Sequence, residues 1–227
     1  MGIFNYLFEW KKWNIKKGDL VLELGSGGSP MVRSNVLVDK YIHDDSEREL
    51  NITKDRPLIC ADIVDLPFKE NIFDFVYASH VLEHLDEVEN SLNEITRVGK
   101  RGLIIVPGEI FERAWDKHPH KWIITVVENQ IIFREKCYCT RLNQNDILGK
   151  WRDIFWKIYT KNKKLLDINY FWKDIIPFKI IRCKNGGFKR ESQAHSERNT
   201  KRKIIFKYRI KIRFRTFLSK IIRSFYA

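Results

Sequence analysis

Residues Leu20 to Pro30 read LVLELGSGGSP, a short apolar strand that ends in an acidic residue and runs straight into a glycine-rich loop. Few loops other than a ligand cradle call for that composition. Gly25, Gly27 and Gly28 admit backbone conformations closed to other residues and allow close approach to a ligand, while Glu23 adds a carboxylate at the carboxyl end of the strand. The carboxylate separates two ligand classes. A pyrophosphate cradled at a helix N-terminus would be repelled by it, whereas a nucleotide-like ligand carrying an amino group and a sulfonium would be attracted.

Downstream, short apolar segments alternate with helical spacing. Asp19–Leu24, Asn35–Val38, Pro57–Ala61, Phe73–Ala78 and Arg101–Val106 read as strands, and Val88, Leu92, Ile95 and Val98 repeat at helical intervals. This alternation predicts an α/β domain with a mostly parallel, covered sheet. A first amphipathic helix is expected over Ile3–Trp13. Trp122–Val127 and Ile131–Arg134, flanking Glu128–Gln130, read as a hairpin added to the sheet, and Asn145–Tyr159 as an aromatic-rich helix. Residues 184–200, polar with paired glycines, read as a linker. The expected organisation is a domain over 1–183, that linker, and a basic tail over 201–227.

At 44% hydrophobic residues the chain has enough apolar material for a core. Four cysteines, Cys60, Cys137, Cys139 and Cys183, without disulfide-like density, point to a reducing compartment. The opening GIFNYLFEWKKW is interrupted by charge and lacks a cleavage site, and no apolar run approaches the ~18 residues of a membrane span. A cytoplasmic protein is expected. The net charge of +13 is concentrated after Arg198, where basic residues stand with no acidic ones; everything before it is nearly neutral. Such a tail suits a polyanionic partner of its own, apart from the ligand site.

Taken in order, VLELGSGGSP, LVDKY, CADIVDLPF, FDFVYASHVLEHLDE and GKRGLIIVP resemble the successive signature segments of class I S-adenosylmethionine-dependent methyltransferases, in particular the type 11 group. The resemblance is strong over Asp19–Pro107 and weaker through HPHKWIITVVENQIIF, which is similar to a bacterial subgroup tied to surface-polysaccharide or lipid modification. It implies a Rossmann-like fold of seven-strand type and S-adenosylmethionine as cofactor. It also implies that Glu23, Gly25, Ser26 and Gly27 line the methionine end, that Asp39 accepts from the ribose hydroxyls, that Asp62 and Ile63 meet adenine, and that Ser79 and His80 stand beside the reacting methyl.

The chain departs from that pattern where Ser29 replaces a third glycine and where only six residues, Ser29 to Ser34, connect the loop to the second strand. Six residues are less than two helical turns at ~3.6 residues each, so the usual helix must be short or missing. Methyl transfer to a hydroxyl or ammonium needs a base, and His80, His118 and His120 are the candidates, with Glu109 a further one. His84 reads as structural, beside Glu83 and Asp86. No metal ligand is assigned: His118 and His120 have no third partner in view, and Cys137 with Cys139 is a lone C-x-C.

The tail changes period part-way. Phe206 to Arg215 alternates cation with apolar residue as a strand would, and Phe217, Leu218, Ile221, Ile222 and Phe225 follow helical spacing. Apolar anchors beside cations fit an anionic membrane surface; a docked terminal element with a solvated basic face fits as well, and nucleic acid ranks behind both. The reading is a methyltransferase acting on oxygen or nitrogen of a small-molecule, glycan or lipid-linked acceptor. A non-catalytic scaffold with the same fold and an RNA methyltransferase stand as alternatives.

Overall fold

The computed structural model describes residues 9–43, 50–115, 119–137, 158 and 166–183. The expected Asn145–Tyr159 helix, His118, most of the expected first helix, the linker and the basic tail lie outside the described residues.

Nine strands are described. Val21–Leu24 (β1), Val36–Val38 (β2), Leu58–Ile59 (β3), Phe75–Ser79 (β4), Arg101–Pro107 (β5) and Asp167–Lys173 (β8) form one sheet in the order β3-β2-β1-β4-β5-β8. All neighbours are parallel except β8, which runs antiparallel to β5 along the edge, with Gly102 opposite Trp172. β1 pairs with β2 on one side and β4 on the other, Leu24 lying opposite Val38 and Ala78. The strand order therefore reverses at β1, and the crevice outside the carboxyl ends of β1 and β4 is the place where open α/β sheets take ligands.

Buried parallel strands need cover on both faces, and all four residues of β1 are buried. Leu22, Leu24, Val76, Ala78, Ile104 and Val106 join the larger core cluster. Its helical wall is Val88–Val98 (α1), whose Val88, Leu92, Ile95 and Val98 are fully buried, as their spacing requires. Val21, Phe75 and Leu103 point the other way, onto Trp10, Ile15 and Met31. Here Glu9–Trp13 forms a 3-10 turn, the described end of the expected first helix.

Six strands of the main sheet lie among the described residues. The hairpin Trp122–Val127 (β6) and Gln130–Glu135 (β7) does form, but with Phe178–Ile181 (β9) it builds a separate three-stranded sheet, joined to the end of β5 through a single bridge between Gly108 and Ile124. A period of two fixes which side chains face the core and leaves the partner strand open. A short helix, Glu109–Trp115 (α2), follows β5. Cys137 and Cys183, just beyond the paired ends of β7 and β9, form a disulfide with Cα atoms 5.6 Å apart, so the reading of these cysteines as free thiols is corrected. Among the described residues no helix is long and apolar enough to cross a membrane.

Candidate functional site

No helix connects β1 to β2; the described residues between them form turns. What holds the connection instead is a set of buried polar contacts. Glu23, 5% exposed, accepts on Oε2 from the Met31 backbone N–H at 2.8 Å and from the Ser34 hydroxyl at 2.6 Å. The Arg33 guanidinium donates to the carbonyls of Lys16, Lys17 and Asp19 and to Asn35 Oδ1, and Arg56 donates to the carbonyls of Met31, Val32 and Ser34. Arg56 thus satisfies carbonyls of the connection that a helix would have satisfied internally, and Arg33 ties the connection to the segment before β1.

Burial pushes the Glu23 carboxyl up to about 7; its bonds from Ser34 and Met31 and the charge of Arg56 oppose the rise without cancelling it. The loop itself is tight. Gly25 has φ +62°, and a Cβ there would stand 2.3 Å from a Val81 methyl, so this position admits no side chain. Gly28 meets residues 50 and 51 as closely, and Thr53 donates to the carbonyls of Gly27 and Gly28. Ser26 Oγ is buried in the middle of this loop with no hydrogen-bond partner.

The two strand-end aspartates both have partners. Asp39, 8% exposed, accepts the Gly27 N–H on Oδ2 at 3.0 Å and the Tyr41 N–H on Oδ1 at 2.9 Å, tying the glycine loop to the end of β2. Asp62, after β3, pairs with Lys40; burial raises its carboxyl, and the Lys40 ammonium together with backbone N–H groups outweighs burial and holds it below the usual range. Ile63 is buried in the larger core cluster, and Ser79 is half-buried at the end of β4.

Next to Ser79 the chain makes an unusual turn. His80 adopts φ +56°, sparsely populated for a residue with a side chain, while its N–H donates to the Ile105 carbonyl. Its ring lies between two carboxylates: Nδ1 is 3.4 Å from Glu83 Oε1 and Nε2 is 3.3 Å from Asp167 Oδ2. Glu83 belongs to a 3-10 turn, Leu82–His84, and its side chain is wholly buried with neither oxygen in a hydrogen bond. Burial raises the Glu83 carboxyl, but the contact with His80 and the positive potential of His80, His84 and His120 more than offset that and leave it below the ordinary value. The His84 and His120 rings meet edge to face at 4.7 Å. His120 is 2% exposed, with Nδ1 against Glu112 Oε1, and Lys136 Nζ lies 2.6 Å from Glu112 Oε2.

Of the candidate bases, His80 lies between Glu83 and Asp167, whereas His120 is buried against Phe111 and His84 instead of lying on a substrate-facing insertion. Glu109 pairs with Arg113 and Arg134. Glu83, Glu112 and Asp167 were not singled out. The i, i+3, i+4 spacing of His80, Glu83 and His84 carried a signal for the first of them; nothing local marks the other two, which arrive from α2 and β8.

Residues 22–106 match the family described as a methyltransferase domain. Over that span, a little over a third of its length, the chain is similar to a methyltransferase domain. A stretch of 101 residues is 40% identical to an uncharacterized protein of Methanocaldococcus jannaschii, over 42% of this chain and 43% of that protein. Another 49 residues are 45% identical to demethylmenaquinone methyltransferase of Corynebacterium urealyticum, over 22% of this chain and 21% of that enzyme. The chain spans less than half the length of the curated relatives it matches. Among solved structures, the YcgJ protein of Bacillus subtilis aligns over 51% of this chain and 58% of its own, at 17% identity and a TM-score of 0.37.

S-adenosylmethionine is the cofactor this domain implies. The donor set fits it. Carboxylates at the ends of β1, β2 and β3 match a ligand rich in N–H and O–H donors, and the orphaned Ser26 hydroxyl lies inside the loop that would approach it.

Proposed function

We propose that the protein transfers a methyl group from S-adenosylmethionine to an oxygen or nitrogen of a small-molecule, glycan or lipid-linked acceptor. The observation that carries the reading is the meeting, at the point where the strand order reverses, of a glycine loop pinned by Asp39 with a strained histidine at the end of β4. In this reading Gly25, Ser26 and Gly27 line the methionine portion, with Glu23 the nearest carboxylate to its ammonium. Asp39 accepts from the ribose hydroxyls, and Asp62 receives the adenine amine on exchanging its Lys40 partner. When bound, the cofactor supplies an electrophilic methyl: the bond from carbon to the acceptor atom forms as the carbon–sulfur bond breaks, and sulfur keeps the electron pair.

The chain's own task is then to position the acceptor and take its proton. His80 is the candidate base. Its ring is a quarter exposed, and the flanking Glu83 and Asp167 stabilise the imidazolium formed when the acceptor's proton arrives. Formation of S-adenosylhomocysteine with candidate acceptors tests this. His80→Ala is expected to slow turnover by about 10²-fold or more while leaving cofactor affinity within about twofold; unchanged turnover would place the base elsewhere.

The basic, aromatic-rich sequence over 201–227 supports a second part of the proposal, an anionic membrane surface as the tail's partner, each basic residue contributing about 1 kcal/mol there. Sedimentation with anionic liposomes at physiological salt checks it. Full-length protein is expected in the pellet and protein lacking 201–227 in the supernatant; identical distributions would count against it.

A further inference from the structure

We propose that Glu83, His84 and His120 form a binding site for a divalent transition-metal ion, at the acceptor side of the domain. One ligand atom from each lies within 4.8 Å of the others. A metal at about 2.1 Å from each would hold those atoms roughly 3 to 3.5 Å apart, a closure within reach of side-chain rotation. Two imidazoles and one carboxylate select first-row ions such as zinc, cobalt or manganese over magnesium or calcium, which favour all-oxygen cages.

Three features favour a metal over a polar cluster that merely packs. The Glu83 carboxylate is wholly buried with no hydrogen bond to either oxygen, and the groups facing it are the imidazoles of His80, at 3.4 Å, and His84, at 4.0 Å, a nitrogen-rich surrounding in which a bound cation would complete the anion. His120 is already oriented: Glu112 faces its Nδ1 and is itself paired with Lys136, which leaves Nε2 as the ligating nitrogen. A carboxylate on the far nitrogen is the usual support of a metal-bound histidine, fixing the tautomer and raising its basicity. The ligands also come from two segments held together, Glu83 and His84 from the 3-10 turn after β4 and His120 from the stretch just before β6. The Lys121 N–H donating to the Glu83 carbonyl at 2.7 Å clamps those two segments together.

Three protein ligands leave coordination positions open. On the methyltransferase reading, on which only this consequence rests, an acceptor oxygen would occupy one of them beside His80, and the metal would make its proton easier to lose. That favours an oxygen acceptor over a nitrogen one.

Full-length protein stripped with a chelator and titrated with cobalt(II) tests the site. The expected result is one ion per chain, with visible d–d absorption and no thiolate charge-transfer band. Affinity should fall at least tenfold in Glu83→Gln and in His84→Ala, the latter at a partly exposed position where folding is easily verified by circular dichroism. Glu112→Gln, a positioning change, should weaken binding by about 10- to 100-fold. No cobalt binding by the folded wild type, or equal affinity in Glu83→Gln and His84→Ala, would overturn the proposal. If the same protein still bound S-adenosylmethionine, the methyltransferase reading would stand without the metal.

Discussion

Glu23 is a buried carboxylate that holds the turn between β1 and β2 and, on the proposed reading, faces the cofactor's ammonium. In the folded protein burial makes it hold its proton to about pH 7, against an ordinary value of 4.5 for the free side chain. The native state therefore binds more protons than the unfolded chain between those values, and this group's contribution is full below about pH 4.5, declines as pH rises, and levels off above about pH 7. In the cofactor-free protein the stability of Glu23→Gln relative to wild type is expected to climb by about 3 kcal/mol across that window, read from urea unfolding at several pH values. A flat difference would mean that Glu23 is ionised throughout. S-adenosylmethionine affinity should rise between about pH 6 and 8 as the carboxylate ionises beside the ligand's ammonium, and the Gln variant should lose that rise. Gly25→Ala puts a methyl group into Val81 at a positive φ, and cofactor titration should show binding lost while circular dichroism keeps its native shape. The sequence marked Glu23, Gly25, Asp39 and Asp62 because a strand-end acid next to glycines is a local pattern. That Met31 and Ser34 return to Glu23 was hidden, because a turn folding back on a strand leaves no periodic trace.

At the scale of elements, the connection between β1 and β2 is the feature most at odds with an ordinary α/β unit. The count of six intervening residues announced that the helix would be short or missing; the replacement, arginine side chains bonded to backbone carbonyls, could not be read from a count. Arg33→Leu strips donors from four acceptors in a buried setting and should destabilise the protein by about 2 to 4 kcal/mol, measured by chemical denaturation, with hydrogen exchange rising first over residues 25–35. A loss below about 0.5 kcal/mol would mean that the arginine is dispensable to the turn. Strands β1, β2, β4 and β5 and helix α1 were legible, since continuous apolar runs and a clean 3.6-residue repeat are strong signals. β8 was passed over although Ile168, Tyr170 and Trp172 alternate, because it is an edge strand whose Phe171 faces outward and blurs the pattern. The Cys137–Cys183 bridge closes a loop spanning a sequence separation of 46, for which chain entropy predicts a contribution of about 4 kcal/mol. Reduction should lower the urea midpoint accordingly, and alkylation before and after reductant should reveal two additional thiols. An equal midpoint in both states would remove the bridge from the account.

Across the whole molecule, the residues that matter come from both halves of the described chain. On the proposed reading the cofactor side lies within residues 22–79, the span where sequence signatures are dense. The cluster that the same reading takes as the acceptor side joins His80, Glu83 and His84 to Glu112, His120, Lys136 and Asp167, whose meeting depends on β8 returning antiparallel to β5 and on the small sheet packing beside the turn after β4. Long-range contacts of this kind are a property of the topology. The central claim is that the glycine loop and the strand-end aspartates form a working cofactor site despite the missing helix. Isothermal titration of the full-length protein with S-adenosylmethionine and S-adenosylhomocysteine, repeated with Asp39→Asn and Asp62→Ala, tests it most directly. Micromolar binding to wild type, weakened about tenfold or more in each variant, is the predicted result. A folded wild-type protein that binds neither ligand would contradict the account.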